Sequence, residues 1–153
     1  MVILNKYNDT LKIIGNPIIG KDVWIGDFCI IDGSGGLVIG DECDISCGVH
    51  VYTHSTHKRC VSGKKKNYDG TVNREAIEKK PVSIGKNTFI GANTTILMGS
   101  MIGSKCIVGA NSLINGVFSD NKIIYGIPAK EVGYITFDSN GDIILNYYDI
   151  QYR

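Results

Sequence analysis

The 153-residue chain has little proline, almost no excess of charge and no long apolar run. It carries 3 Pro, and its 16 Lys and Arg stand against 15 Asp and Glu for a net charge of +1. So even a balance gives no general hold on a phosphate backbone, and no nucleic-acid partner is expected. No apolar stretch approaches the roughly 20 residues that a membrane-spanning helix needs, so no membrane span is expected. The first residues, Met1-Val2-Ile3-Leu4-Asn5-Lys6, lack the layout of a secretory signal, which points to a cytoplasmic protein. The five cysteines, Cys29, Cys43, Cys47, Cys60 and Cys106, show no zinc-ligand spacing, and no metal is expected.

Glycine, in contrast, is plentiful. Nineteen Gly beside 43% hydrophobic residues argue for a turn-rich β fold and against disorder. From Val82 onward a branched aliphatic residue returns every six positions: Ile84, Ile90, Ile96, Ile102, Val108, Ile114. Gly85, Gly91, Gly103 and Gly109 follow four of them, where glycine is expected to supply a turn conformation that a side chain would penalise. Four positions after each aliphatic comes a small residue: Thr88, Thr94, Ser100, Cys106, Ser112. A period of six fits neither a helix nor an alternating strand. It is the mark of a parallel β-helix, in which each coil stacks its aliphatics on those of the next.

The same period runs through Ile13, Ile19, Ile25 and Ile31, slips by two residues at Gly33-Ser34-Gly35-Gly36, and resumes at Ile39, Ile45 and Val51. Coil blocks are therefore expected at 13–54 and 82–117, together about four to five coils of about 18 residues each. Cys29, Cys43 and Cys106 fall in the small-residue slot and read as packed thiols. Residues 1–12 form a lead-in that could cap the first coil. Residues 55–81 break the pattern, and a stretch this long inside a compact domain reads as an extruded functional loop; its lysines read mostly as a solvated face, with one or two expected to meet an anionic ligand. Asn140-Gly141 between β-rich runs signals a C-terminal hairpin over about 131–150. The whole reads as one all-β domain over 1–153.

Three features together resemble the hexapeptide-repeat acyltransferases and their sugar O-acetyltransferase branch: the two repeat blocks, the run Gly48-Val49-His50-Val51-Tyr52-Thr53-His54 leading into the loop, and Ile127-Pro128-Ala129-Lys130. The resemblance implies a left-handed parallel β-helix, an acetyl-CoA co-substrate lying along the coils, a homotrimer with active sites between subunits, and a sugar acceptor. It also implies direct transfer of the acetyl group to a hydroxyl, with a histidine as general base.

His54 stands where that branch carries its base, with His57 as the alternative; His50 suits an exposed position on a flat face. Asp32 is expected to orient the imidazole or to meet the acceptor, and Tyr52 to contact the acceptor. The resemblance implies that Phe89 walls the acetyl and acceptor site. It further implies that Ala92 and Ala110 line the pantetheine path, and that Lys130 meets the nucleotide phosphates. Asn115 replaces a more usual Thr at another cofactor contact. Other readings of the same fold are N-acetylation of a nucleotide-linked amino sugar, a metal-dependent carbonic anhydrase and a non-catalytic scaffold.

Overall fold

The computed structural model describes residues 8–149; the start of the lead-in and residue 150 of the expected hairpin lie outside them. The chain winds as a triangular parallel β-helix. One face stacks strands Lys12–Ile14, Ile30–Asp32, His50–Val51, Thr95–Ile96 and Leu113–Ile114. The second stacks Ile18–Ile19, Leu37–Ile39, Val82–Ile84, Met101–Ile102 and Val117–Phe118. The third stacks Trp24–Ile25, Asp44–Ile45, Phe89–Ile90, Ile107–Val108 and Lys122–Gly126. Five coils result, each contributing one strand per face.

The period of six sets this register. In-line pairing places Ile31 on Val51, Val51 on Ile96 and Ile96 on Ile114. Matching ladders run through Ile39, Ile84 and Ile102, and through Ile45, Ile90 and Val108. All these residues are buried. A β-branched side chain suits a short strand whose one face is fully covered.

The small slot has a second task. Thr88 Oγ1 donates to the Gly103 carbonyl at 2.9 Å and Thr94 Oγ1 to that of Gly109 at 3.1 Å, so each slot ties one coil to the next. Cys29, Cys43 and Cys106 do the same with their thiols, toward Ser46, Gly85 and Ser119 at 3.1, 3.1 and 3.2 Å. Burial raises the pKa of all three, which keeps them as neutral thiols.

The glycines after the aliphatics serve a different purpose from the one expected. None of Gly85, Gly91, Gly103 and Gly109 has a positive φ; that conformation falls two residues later, on Asn87, Asn93, Lys105 and Asn111. Glycine is required for closeness instead. A Cβ on Gly91 would lie 2.5 Å from the Ala110 nitrogen of the next coil.

The 55–81 segment is not structureless. Strands His54–Ser55 and Glu78–Lys79 pair antiparallel and close it at its base, and a short helix covers His57–Val61. Beyond the last coil, Ala129–Phe137 pairs antiparallel with Lys122–Gly126 and then with Ile143–Tyr147, extending the third sheet as a ribbon. A Lys122–Glu131 ion pair of 3.0 Å ties the ribbon to the last coil. Among the described residues no helix is long and apolar enough to cross a membrane.

Candidate active site

The candidate site sits at the edge between the first and second faces, where the third coil opens into the insertion. Strand pairing of Ile31 with Val51 puts Asp32, at the end of its strand, beneath the residues that follow Val51. Asp32 is fully buried. Its Oδ1 accepts the Ser34 N–H at 2.9 Å, and its Oδ2 accepts the Thr53 N–H at 2.9 Å. His54 Nδ1 lies 2.6 Å from Oδ2. The Ser34 hydroxyl is 3.2 Å from the same nitrogen. Thr53 is locked in turn: its hydroxyl is 3.0 Å from the Asp32 main-chain oxygen and accepts the Gly35 N–H at 2.8 Å.

Burial by itself would raise the Asp32 pKa. The hydrogen bonds from Ser34, Thr53 and His54 outweigh it and hold the carboxyl well below the usual range. A buried carboxylate of this kind must receive a proton from its neighbour. Nδ1 of His54 therefore carries the hydrogen, and in the neutral ring Nε2 is left with the lone pair.

The two-residue slip at Gly33–Gly36 makes this packing possible. A Cβ on Gly35 would stand 2.2 Å from the Thr53 carbonyl oxygen, so the bulge can lie against the Thr53-His54 backbone only because residue 35 has no side chain. His54 opens into a cavity of ≈ 440 Å³ with Tyr52, His57, Lys80, Met98 and Asn115 on its walls. Leu97 and Met98 come from the coil above, and Asn115 from the one beyond it.

The three histidines have separate partners. Nδ1 of His50 faces the Tyr52 hydroxyl at 3.4 Å, and His50 lies half-buried on the first face. Nδ1 of His57 is 2.6 Å from Ser55 Oγ, which leaves Nε2 3.8 Å from the Glu78 carboxylate. Glu78 also holds Lys58 at 2.9 Å and Lys80 at 3.2 Å, and these two cations keep its carboxyl below the ordinary range. Among the described residues no group of three His, Cys, Asp or Glu is placed to hold a metal ion.

The family described as "hexapeptide repeat of succinyl-transferase" matches residues 18–53 and 81–115, the two blocks on either side of the insertion. The chain belongs to the hexapeptide-repeat acyltransferases. Its fold is the left-handed parallel β-helix of that family. WbbJ of Escherichia coli strain K12, assigned by name to O-acetyl transfer in lipopolysaccharide biosynthesis, is 29% identical over 109 residues, 71% of this chain. The chain spans 56% of WbbJ's length. The hexapeptide-repeat acetyltransferase VCA0836 of Vibrio cholerae, solved with acetyl coenzyme A, is 25% identical with a TM-score of 0.66 over 83% of this chain and 66% of that one. A mutant of AntD, an N-acyltransferase of Bacillus cereus solved with dTDP and coenzyme A, reaches a TM-score of 0.69 at 24% identity, over 81% of this chain and 66% of its own.

Within this hexapeptide-repeat chain, the other sequence-marked residues fall on different edges. Asn115 joins His54 in one cavity. Ala92 and Ala110 stack on successive coils where the third face turns into the first, with the Asn111 N–H donating to the Ala92 carbonyl at 2.8 Å. Tyr125 follows on that edge, against Gly109, and pairs with Lys130, which is exposed. Phe89 points outward from the third face, 43% exposed, and lines a groove with Lys105, Phe137 and Ile143. A single chain thus does not bring Phe89, Ala92, Ala110 or Lys130 to His54. Sequence reasoning missed Ser34, Thr53 and Glu78, and reached Lys80 only as one of eight basic residues of the insertion. The Gly33–Gly36 slip was the available signal for the first two, since a bulge of small residues marks where another backbone comes close.

Proposed function

We propose that the chain is an acetyl-CoA-dependent O-acetyltransferase acting on a carbohydrate hydroxyl. The observation that carries this reading is the Asp32–His54 pair at the wall of an open cavity. Nε2 of His54 takes the proton from the acceptor hydroxyl as its oxygen attacks the thioester carbonyl. The buried Asp32 carboxylate steadies the imidazolium that forms. The Asn115 amide, on the same wall, is a donor for charge on the carbonyl oxygen or for the acceptor. Collapse of the tetrahedral intermediate breaks the C–S bond, and the imidazolium returns its proton to the leaving sulfur. No acyl-enzyme is needed.

The acetyl-CoA complex of VCA0836 supports acetyl-CoA as the donor. The name of WbbJ supports a surface-polysaccharide unit, or its precursor, as the acceptor class. An amine arrives partly deprotonated and depends less on a base, so a built Asp–His pair favours the hydroxyl. Tyr52 contacts the acceptor in this reading, and Asp32 acts through His54 rather than on the sugar. The five described cysteines are unpaired, in keeping with a reducing cytoplasm.

The working unit in this reading is a homotrimer. The His54 edge of one copy meets the Ala92–Ala110–Lys130 edge of the next, and acetyl-CoA lies between them with Phe89 near its acetyl end. The second face presents the exposed residues Ile18, Val38, Met101 and Val117 in one ladder, with Ser83 between Val38 and Met101, a largely apolar surface suited to self-association. Light scattering should give three times the chain mass of 16.7 kDa. The test of activity is release of free thiol from acetyl-CoA by purified protein with a sugar panel, with mass spectrometry of the product. Acetyl on a sugar oxygen supports the reading; acetyl on nitrogen, or no transfer to any acceptor, defeats it.

A further inference from the structure

The cavity has a charged rim that acetyl transfer to a neutral sugar would not use. We infer that the acceptor carries an anionic oxygen group, phosphate or carboxylate, near the hydroxyl that is acylated, and that Lys80 and His57 bind it. The inference rests on the acetyl-transfer reading for the hydroxyl, but its argument is independent of the cofactor.

Lys80 is fixed where the insertion rejoins the coils. Its N–H donates to the Thr53 carbonyl at 3.0 Å, one residue from His54. Its stem passes over Gly99, where an added Cβ would come 3.3 Å from Lys80 Cδ. Lys80 lines the cavity, and its ammonium is, among the described residues, held only by Glu78 at 3.2 Å. That carboxylate has a second cation, Lys58, at 2.9 Å on its other oxygen. Glu78 can therefore give up Lys80 and stay neutralised. His57 points the same way, because Ser55 holds its Nδ1 and turns Nε2 toward Glu78. The Glu78 carboxylate, between Lys80 and His57, marks where an anionic group of the acceptor would sit.

The wider field agrees. Residues 57–80 carry eight Lys and Arg against three Asp and Glu, an excess of five in a chain whose net charge is +1. The rest of the molecule is thus net acidic, and positive charge is concentrated on the arm beside the cavity. Such a field draws an anionic acceptor toward the site. Two oxygens of a phosphate or carboxylate can meet Lys80 and His57 together, while Leu97 and Met98 offer only apolar contact.

The experiment follows the imidazole resonances of His54 and His57 in the full-length protein by NMR. Glucose, glucose 6-phosphate and glucuronate are titrated in turn at constant ionic strength. Both anionic sugars should shift His57 saturably and bind at least about tenfold more tightly than glucose. The tighter of the two identifies phosphate or carboxylate as the natural group. Lys80→Met should abolish that preference and Lys80→Arg keep most of it, while Lys66→Met, far out on the arm, should leave it intact. Equal binding of glucose, or an anion preference that survives in Lys80→Met, overturns the inference. Anion binding without acetyl transfer to any acceptor would instead overturn the acetyl-transfer reading and leave the anion subsite standing.

Discussion

Replacing Asp32 by Asn tests the site through one buried atom. The substitution keeps shape and changes Oδ2, which accepts from Thr53 and faces His54 at 2.6 Å, into an amide that donates. Two donors would then face a third. With the amide nitrogen at this position, His54 relieves the conflict by moving its hydrogen to Nε2, which removes the lone pair from the cavity. Turnover should fall roughly a hundred- to ten-thousandfold, the scale seen when a base is held in the wrong tautomer.

Stability should fall as well, because the Thr53 N–H and the imidazole each lose a charged acceptor in a buried place. An unsatisfied buried donor costs about 1–3 kcal/mol, and the imidazole is no longer one once its hydrogen has moved, so about 1–3 kcal/mol is expected. The loss depends on pH. The folded-state pKa of Asp32 is depressed below its unfolded value of about 3.9, so its stabilising contribution is complete above about pH 5 and is lost as pH falls through the folded value. The stability gap between wild type and Asp32→Asn should be full at pH 7 and narrow below about pH 4. Thiol release measures the first effect, and urea titration at both pH values the second. A folded Asp32→Asn protein with turnover within twofold of wild type would refute the reasoning.

Other substitutions probe the scaffold and the cofactor edge. Gly35→Ala would set a Cβ 2.2 Å from the Thr53 oxygen and push the His54 backbone outward; a stability loss of about 1–3 kcal/mol and a tenfold or greater loss of turnover are expected, by urea titration and thiol assay. Ile96→Ala removes the centre of the Val51–Ile96–Ile114 ladder, where the side chain is fully buried, and should cost about 2–5 kcal/mol by denaturant titration. Lys130→Met should raise the KM for acetyl-CoA by about tenfold and leave kcat nearly unchanged, since an exposed point charge on a phosphate contributes to binding alone; an unchanged KM would remove Lys130 from the cofactor path.

The repeat made most of the scaffold legible. A branched aliphatic every six residues is a direct record of what each strand buries, and Ile84 through Ile114 all face inward. The small slot was equally plain, although its hydrogen bonds to the next coil were not. Glycine shows where such reading stops. Gly91 was marked at the right place for the wrong cause, because the closeness of Ala110 is a property of two coils and not of one turn. The candidate site was half legible. His54 stood out in its motif. Its pairing with Asp32, 22 positions earlier, depends on how coils superpose across the Gly33–Gly36 slip. Glu78 and Lys80 were hidden more deeply, since their place beside His54 is set by an antiparallel pairing across a long insertion with no repeat to give its register.

The most direct measurement compares His54→Gln and His57→Gln in steady-state acetyl transfer to one acceptor, with acetyl-CoA binding measured by calorimetry on each protein. His54→Gln should lose at least about a hundredfold in kcat while binding acetyl-CoA as wild type does. His57→Gln should keep kcat within about tenfold and change mainly the KM of the acceptor. Full turnover in His54→Gln would contradict the assignment of the base and, with it, the mechanism.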